Sequence, residues 1–285
     1  MNRLFPVLLC ILCLGSCRGT GEDMFVPEGY ELVWHDEFDG DALDTLSWTA
    51  ETGGHGWGNN ELQYYTARQK NVDVRGGRLV ITAVKEDYQG AKVTSARINT
   101  LGKVGFRYGY VVASIRLPKT SDGLWPAFWM MGSDLKETGW PNCGEIDVLE
   151  MGHHEGIASG VQESFLNGAC HWGEPHHKYS ARNVTYPYPL QDGEFHTFTC
   201  IWDKDRVAMY IDKELHPDVE PYFEMQFEDY SDGEFRKDNF ILLNLAVGGN
   251  FPAIWDIDKV SALSQGERSM EVDYVRVFQK SQNQL

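Results

Sequence analysis

Three carboxylates, Glu145, Asp147 and Glu150, occur in the segment Gly144-Glu145-Ile146-Asp147-Val148-Leu149-Glu150, which otherwise reads as a buried strand. Carboxylates are costly to bury unless they are paired or used. Set among Ile, Val and Leu, they point to a cleft where charge does chemistry. Side chains on a strand alternate faces, so Glu145 and Asp147 share one face and Glu150 in regular pleating would not. One extra residue near Val148-Leu149, a β-bulge, returns Glu150 to the acidic face. The expectation is a bulged strand with three acids lining one groove. Two of them would stand about 5–5.5 Å apart, as a nucleophile and an acid/base must to cleave a glycosidic bond with retention. A calcium site or a solvated edge strand are the plainer alternatives. Calcium loops are usually rich in Asp, Asn and Gly, and a solvated strand would not alternate with aliphatics.

Strand signals dominate the elements that would position these acids. Arg78–Ala83, Tyr108–Leu117, Thr197–Trp202, Arg206–Ile211, Phe240–Val247 and Glu271–Phe278 are rich in Val, Ile, Tyr, Phe and Trp, with turn residues between them. The turn Asp203-Lys204-Asp205 predicts a hairpin. Val260–Arg268 is the one stretch that predicts a short helix. Many short strands over this length predict an all-β, two-sheet antiparallel sandwich. A curved sandwich leaves a concave cleft suited to an extended polymer.

Aromatic and polar residues gather around the acidic strand. Gly56–Tyr65 is loop-like and rich in amides. Leu124–Met131 precedes the acids and Cys170-His171-Trp172-Gly173 follows them. Sugar rings pack C–H faces on aromatic rings, whereas a single Trp is more often core. Trp125 and Trp129 are four apart and share a face on a strand, predicted to be the cleft; Phe128 is predicted core. Arg97 is either an ion-pair partner or a donor to substrate hydroxyls. The pairs His153-His154 and His176-His177 lack a closed zinc spacing. Asn183-Val184-Thr185 matches a glycosylation sequon, discounted in a chain with a bacterial lipobox.

The charge balance is 25 Lys and Arg against 42 Asp and Glu, a net −17. This argues against nucleic acid and anionic membrane surfaces as partners and is compatible with a neutral polysaccharide. Residues 1–16 read as a lipoprotein signal peptide, since Leu4–Leu14 is too short to span a bilayer. Leu14-Gly15-Ser16-Cys17 resembles a lipobox. Cys17 would carry the lipid and residues 17–27 would be a tether, anchoring the exported chain to a bacterial membrane. Residues 28–280 would form the catalytic domain and 281–285 a tail. Of six cysteines, Cys10, Cys13 and Cys17 belong to the leader. Cys143, Cys170 and Cys200 remain, an odd count that argues against a disulfide framework. One pair is still open, Cys143 with Cys170, because both flank the cleft.

Glu145-Ile146-Asp147-Val148-Leu149-Glu150 resembles the signature of glycoside hydrolase family 16 in its bulged, laminarinase-like form. Gly56–Thr66, Trp125–Gly132, Phe195–Asp212, Leu242–Phe251 and Val272–Phe278 resemble family segments in the same order, over about residues 30–280. The resemblance implies a jelly-roll sandwich and retaining endo-hydrolysis of β-1,3-glucan. The alternatives are mixed-linkage β-1,3-1,4-glucan, transglycosylation, or a non-catalytic glucan-binding lipoprotein. It implies Glu145 as nucleophile and Glu150 as acid/base. Asp147 lies between them, raising the proton affinity of Glu150 and orienting Glu145. It implies Asn59, Arg97, Trp125, Trp129 and His171 as subsite contacts and no cofactor for catalysis. It also implies a structural calcium on the convex side at Glu37, Gly77 and Asp273. A monomer is expected. Two departures bear on linkage: Ala96 stands where the family often has Gly, and Met151-Gly152-His153-His154 differs from the usual loop after the acids.

Overall fold

The computed structural model describes residues 24–173, 176–227 and 233–281. Cys17, the leader and the residues after Ser281 lie outside them. In chain order the strands are β1 Tyr30–Asp36, β2 Thr49–Ala50, β3 Tyr64–Tyr65, β4 Val72–Val74, β5 Leu79–Tyr88, β6 Ala91–Ser95, β7 Arg97–Asn99, β8 Gly109–Arg116, β9 Leu124–Gly132, β10 Glu145–Met151, β11 Phe165–Trp172, β12 Lys178–Thr185, β13 His196–Trp202, β14 Arg206–Ile211, β15 Phe223–Gln226, β16 Asn239–Val247 and β17 Arg268–Lys280. Two short helices, α1 Leu135–Thr138 and α2 His154–Ser159, flank β10.

The strands form two sheets. One runs β12-β11-β10-β9-β16-β7-β2; the other runs β15-β14-β13-β8-β17-β5-β6-β3, with β1 on β17 and β4 on β5. The predicted sandwich is therefore present, and it is antiparallel except for β3 against β6. The predicted hairpin is β13 with β14. The core lies between the sheets. Phe128, Ile146, Val148, Leu243 and Leu245 face Val111, Ala113, Ile115, Phe198 and Cys200, all fully buried. Each such large apolar side chain contributes about 1.5–3 kcal/mol.

The helix expected over Val260–Arg268 does not form. Instead 3-10 turns span Ile257–Lys259 and Ser261–Leu263, the first capped by the Asp256 side chain. Val260 at φ −77, ψ 84 interrupts any continuous helix, and Gly266 at φ 110 turns the chain into β17. Cys143, Cys170 and Cys200 are all buried and free. The open Cys143–Cys170 pairing is ruled out by sidedness. Cys170 points into the core between the sheets, whereas Cys143 packs with Met131, Phe240 and Leu242 in a separate cluster.

Candidate active site

β10 carries the bulge that the acid spacing requires. Against β11, Asp147 pairs with Ala169 and Glu150 with Asn167, three residues matched to two. Against β9, Asp147 pairs with Trp129 and Leu149 with Phe128, two matched to one. Val148 and Leu149 therefore both join the core, and Glu145, Asp147 and Glu150 all line the groove. The backbone released by the bulge is still bonded. The Tyr222 hydroxyl donates to the Val148 carbonyl. Gly168 leaves room for it, because a Cβ there would meet the Tyr222 ring at 2.8 Å. Glycines also bracket the strand. Gly144 has φ 79 and lies against the Glu234 carbonyl; Gly152 has φ 95 and lies against the Leu124 carbonyl. Any side chain at either position would be strained and would clash.

The groove has a volume of about 890 Å³ and crosses the seven-stranded sheet. Glu145 Oε2 accepts from Trp140 Nε1 at 2.9 Å, and Glu150 Oε1 accepts from Trp125 Nε1 at 2.9 Å. Asp147, only 3% exposed, lies between them. Its Oδ2 is 3.4 Å from His171 Nε2. Ligating atoms of Glu145, Asp147 and His171 all lie within 4.8 Å of one another.

Crowding like charges in a low-dielectric place favours protons. Burial and then the Asp147 charge push Glu145 up to about 8. Burial raises Asp147. Burial, then the charges on Asp147 and Glu145, lifts Glu150 well above the ordinary carboxylate range. Burial thus favours a proton on each of the three, and the charge on Asp147 raises both glutamates further. The arrangement suits chemistry that needs one ionised and one protonated carboxyl on the same face.

One wall of the groove is tightly built. Arg97 donates from Nε to Glu51, and its guanidinium lies between the Trp57 ring at 4.9 Å and the Trp129 ring at 4.7 Å. Trp129 Nε1 donates to Asn244 Oδ1 at 2.7 Å. Trp125 stacks on Phe251 at 4.6 Å with 9° between planes.

The Glycosyl hydrolases family 16 profile matches residues 58–234. The chain belongs to that family. It is 35% identical to the Beta-glucanase of Rhodothermus marinus over 98% of its own length and 95% of that protein's. It is similar to the Bacteroides ovatus mixed linkage glucan GH16 in complex with G4G4G3G Product, with TM-score 0.76, 38% identity, 86% of this chain and 99% of that one. It is also similar to the laminarinase catalytic domain of Thermotoga maritima, with TM-score 0.73, 33% identity, 89% of this chain and all of that one. Against two other curated relatives the chain spans about a third of their length, 34% and 39%.

Within this family 16 site, Asn59, Arg97, Trp125, Trp129 and His171, the contacts implied by the resemblance, line the same groove as the three acids. Phe128 is core, as predicted. Both readings of Arg97 have a footing: it is an ion-pair partner and also lines the groove. The histidine pairs are split by the fold. His153 and His154 meet with tilted rings at one place on the rim, while His177 joins His171.

Sequence reasoning missed Trp140, Asn244, Phe251, His177 and Tyr179. Trp140 had a usable signal, since Gly139-Trp140-Pro141 is a loop five residues before Glu145. Asn244 and Tyr179 come from β16 and β12, and Phe251 and His177 from the turns beside them. The calcium candidates also converge. β17 pairs with β1 up to Val275–Asp36 and with β5 from Val272–Leu79, which brings Glu37, Gly77 and Asp273 to one stretch. Both Glu37 oxygens, however, accept from Arg276 at 2.8 Å.

Proposed function

We propose that this chain is a retaining endo-β-1,3-glucanase. The observation that carries the reading is the bulged β10, which presents two carboxyls on one face of an open groove, each held by its own indole. Glu145 attacks the anomeric carbon while Glu150, whose proton is held by burial and its neighbours, protonates the departing oxygen. A glycosyl ester on Glu145 results. Glu150, now ionised, takes a proton from water, which breaks the ester and regenerates Glu145. Asp147 orients Glu145 and keeps Glu150 protonated for the first step. Asn59, Arg97, Trp125, Trp129 and His171 bind the sugar chain.

The experiment is mass analysis of oligosaccharides released from pure laminarin and pure cereal β-glucan. Internal fragments from laminarin are expected. Release from cereal glucan alone would transfer the reading to mixed-linkage hydrolysis, which the likeness to the Bacteroides ovatus enzyme favours. Glu145→Gln should lower turnover at least about a thousandfold with binding retained. Wild-type turnover in that variant would remove Glu145 as nucleophile.

Two further parts of the reading are proposals. Cys17 anchors the exported protein through lipid, supported by Leu14-Gly15-Ser16-Cys17; membrane retention of Cys17→Ser would reject it. A structural calcium at Glu37, Gly77 and Asp273 is supported by their convergence on β17. As the side chains stand they do not fit an ion, because Arg276 holds both Glu37 oxygens and Arg78 Nε is 3.9 Å from Asp273 Oδ1. Calcium would have to displace a guanidinium. A rise in melting temperature with calcium over chelator would support it, and an unchanged one would remove it.

A further inference from the structure

A histidine outside the acidic motif connects to it. His177 Nε2 lies 2.9 Å from His171 Nδ1, and His171 Nε2 lies 3.4 Å from Asp147 Oδ2. The two imidazoles stack with ring centroids 5.1 Å apart. His177 is exposed, in the turn before β12, and packs on Trp140 at 4.7 Å and Tyr179 at 5.8 Å.

Between two ring nitrogens at hydrogen-bond distance, one carries the proton and the other accepts. Asp147 Oδ2 is buried with no hydrogen-bond partner among the described residues. An anionic oxygen there needs a donor, and His171 Nε2 is the nitrogen that faces it. A neutral His171 with its proton on Nε2 must accept at Nδ1, where the His177 Nε2–H is placed to donate. Second partners of a functional imidazole set its tautomer in this way.

We propose that His177 is a positioning residue: it holds His171 in the Nε2–H tautomer and thereby stabilises the ionised form of Asp147. The ionised Asp147 then keeps Glu150 protonated for the first step. This rests on the roles assigned above to Glu150 and Asp147. The other groups facing His171 are Glu145 and Glu150 on β10 and Tyr179 on β12, with the neutral Trp140 ring beside it. Arg97 acts on Glu145 from β7. Among the described residues, no lysine or second arginine lines this groove.

The test compares the full chain with His177→Ala and His177→Gln. In His177→Ala the Asp147 charge is less stabilised, so Glu150 loses its proton more easily. The basic limb of the kcat/KM profile on laminarin should move to lower pH by about half a unit or more. Turnover should fall about tenfold, with KM changed less than about twofold. His177→Gln, whose amide N–H can donate to Nδ1, should recover most of both effects. Nitrogen NMR of His171 reads the tautomer without substrate, and the Nε2–H form should lose population in His177→Ala only. An unmoved basic limb, an unchanged tautomer, or Gln behaving like Ala would overturn the proposal. If wild-type laminarin turnover itself were absent, the catalytic roles would fall, and the NMR arm would still decide what His177 does to His171.

Discussion

Two histidine–aspartate contacts in this molecule use the same residue types to opposite ends. In the scaffold, His196 Nδ1 meets Asp212 Oδ2 at 2.9 Å and His196 Nε2 meets Asp192 Oδ1 at 3.3 Å. Asp212 also accepts from the Thr197 backbone N–H and the Tyr188 hydroxyl, both at 2.9 Å. Burial would raise Asp212, yet the hydrogen bonds from His196 and Thr197 hold it below the ordinary carboxylate range. The Asp212 hydrogen bond raises His196 against its burial. In the groove, Asp147 stands 3.4 Å from His171 with acids on either side, and its proton affinity goes up instead. What separates the two is the company each aspartate keeps. Donors around a buried carboxylate make a fastening. A buried carboxylate short of donors keeps its proton affinity high, and its charge in turn raises the acids beside it, which costs stability and serves chemistry.

The largest expected effect falls on the fastening. Asp212→Ala leaves His196, Thr197 N–H and Tyr188 without their acceptor and should cost about 3–5 kcal/mol in chemical denaturation. A loss under about 1 kcal/mol would erase the contrast between the two sites. In the groove the sign should reverse. Asp147→Asn removes a buried charge beside Glu145 and Glu150 and should raise stability by up to about 1 kcal/mol while lowering turnover about 10–100-fold. A destabilised Asp147→Asn would mean that Asp147 is a fastening too.

The smallest effect is in the pH dependence of melting. Asp212, lowered in the fold, contributes stability that is present above its ordinary 3.8 and is lost as pH falls through its lowered value. His196, raised in the fold, contributes stability that is full below 6.5 and is lost as pH rises through its raised value. Glu145 in the fold holds its proton up to about 8 against an ordinary 4.5, so its contribution fades as pH climbs across that window. Asp147→Asn should flatten the descent between those values, and Asp212→Ala should remove the acid-side loss. Parallel melting curves for both variants would contradict the separate origins.

Much of the groove was legible in local pattern. The period of two put Glu145 with Asp147, and Trp125 with Trp129, on one face, and the odd spacing to Glu150 demanded the bulge that β10 shows. The same rule placed Phe128 in the core. The helix expected at Val260–Arg268 did not form, because Val260 breaks the path into two short 3-10 turns, the first capped by Asp256. Cysteine spacing left open a Cys143–Cys170 pair that opposite faces forbid.

Residue type and alternation by themselves determined the sandwich, the acidic face and which aromatics share it, because these depend on neighbours a few residues away. Tertiary structure alone decided the partners: Glu51 for Arg97, Tyr222 for the bulged carbonyl, Arg276 for Glu37, His177 for His171. Those contacts join residues brought together by strand order and loop path, and no local period records which distant side chain will arrive.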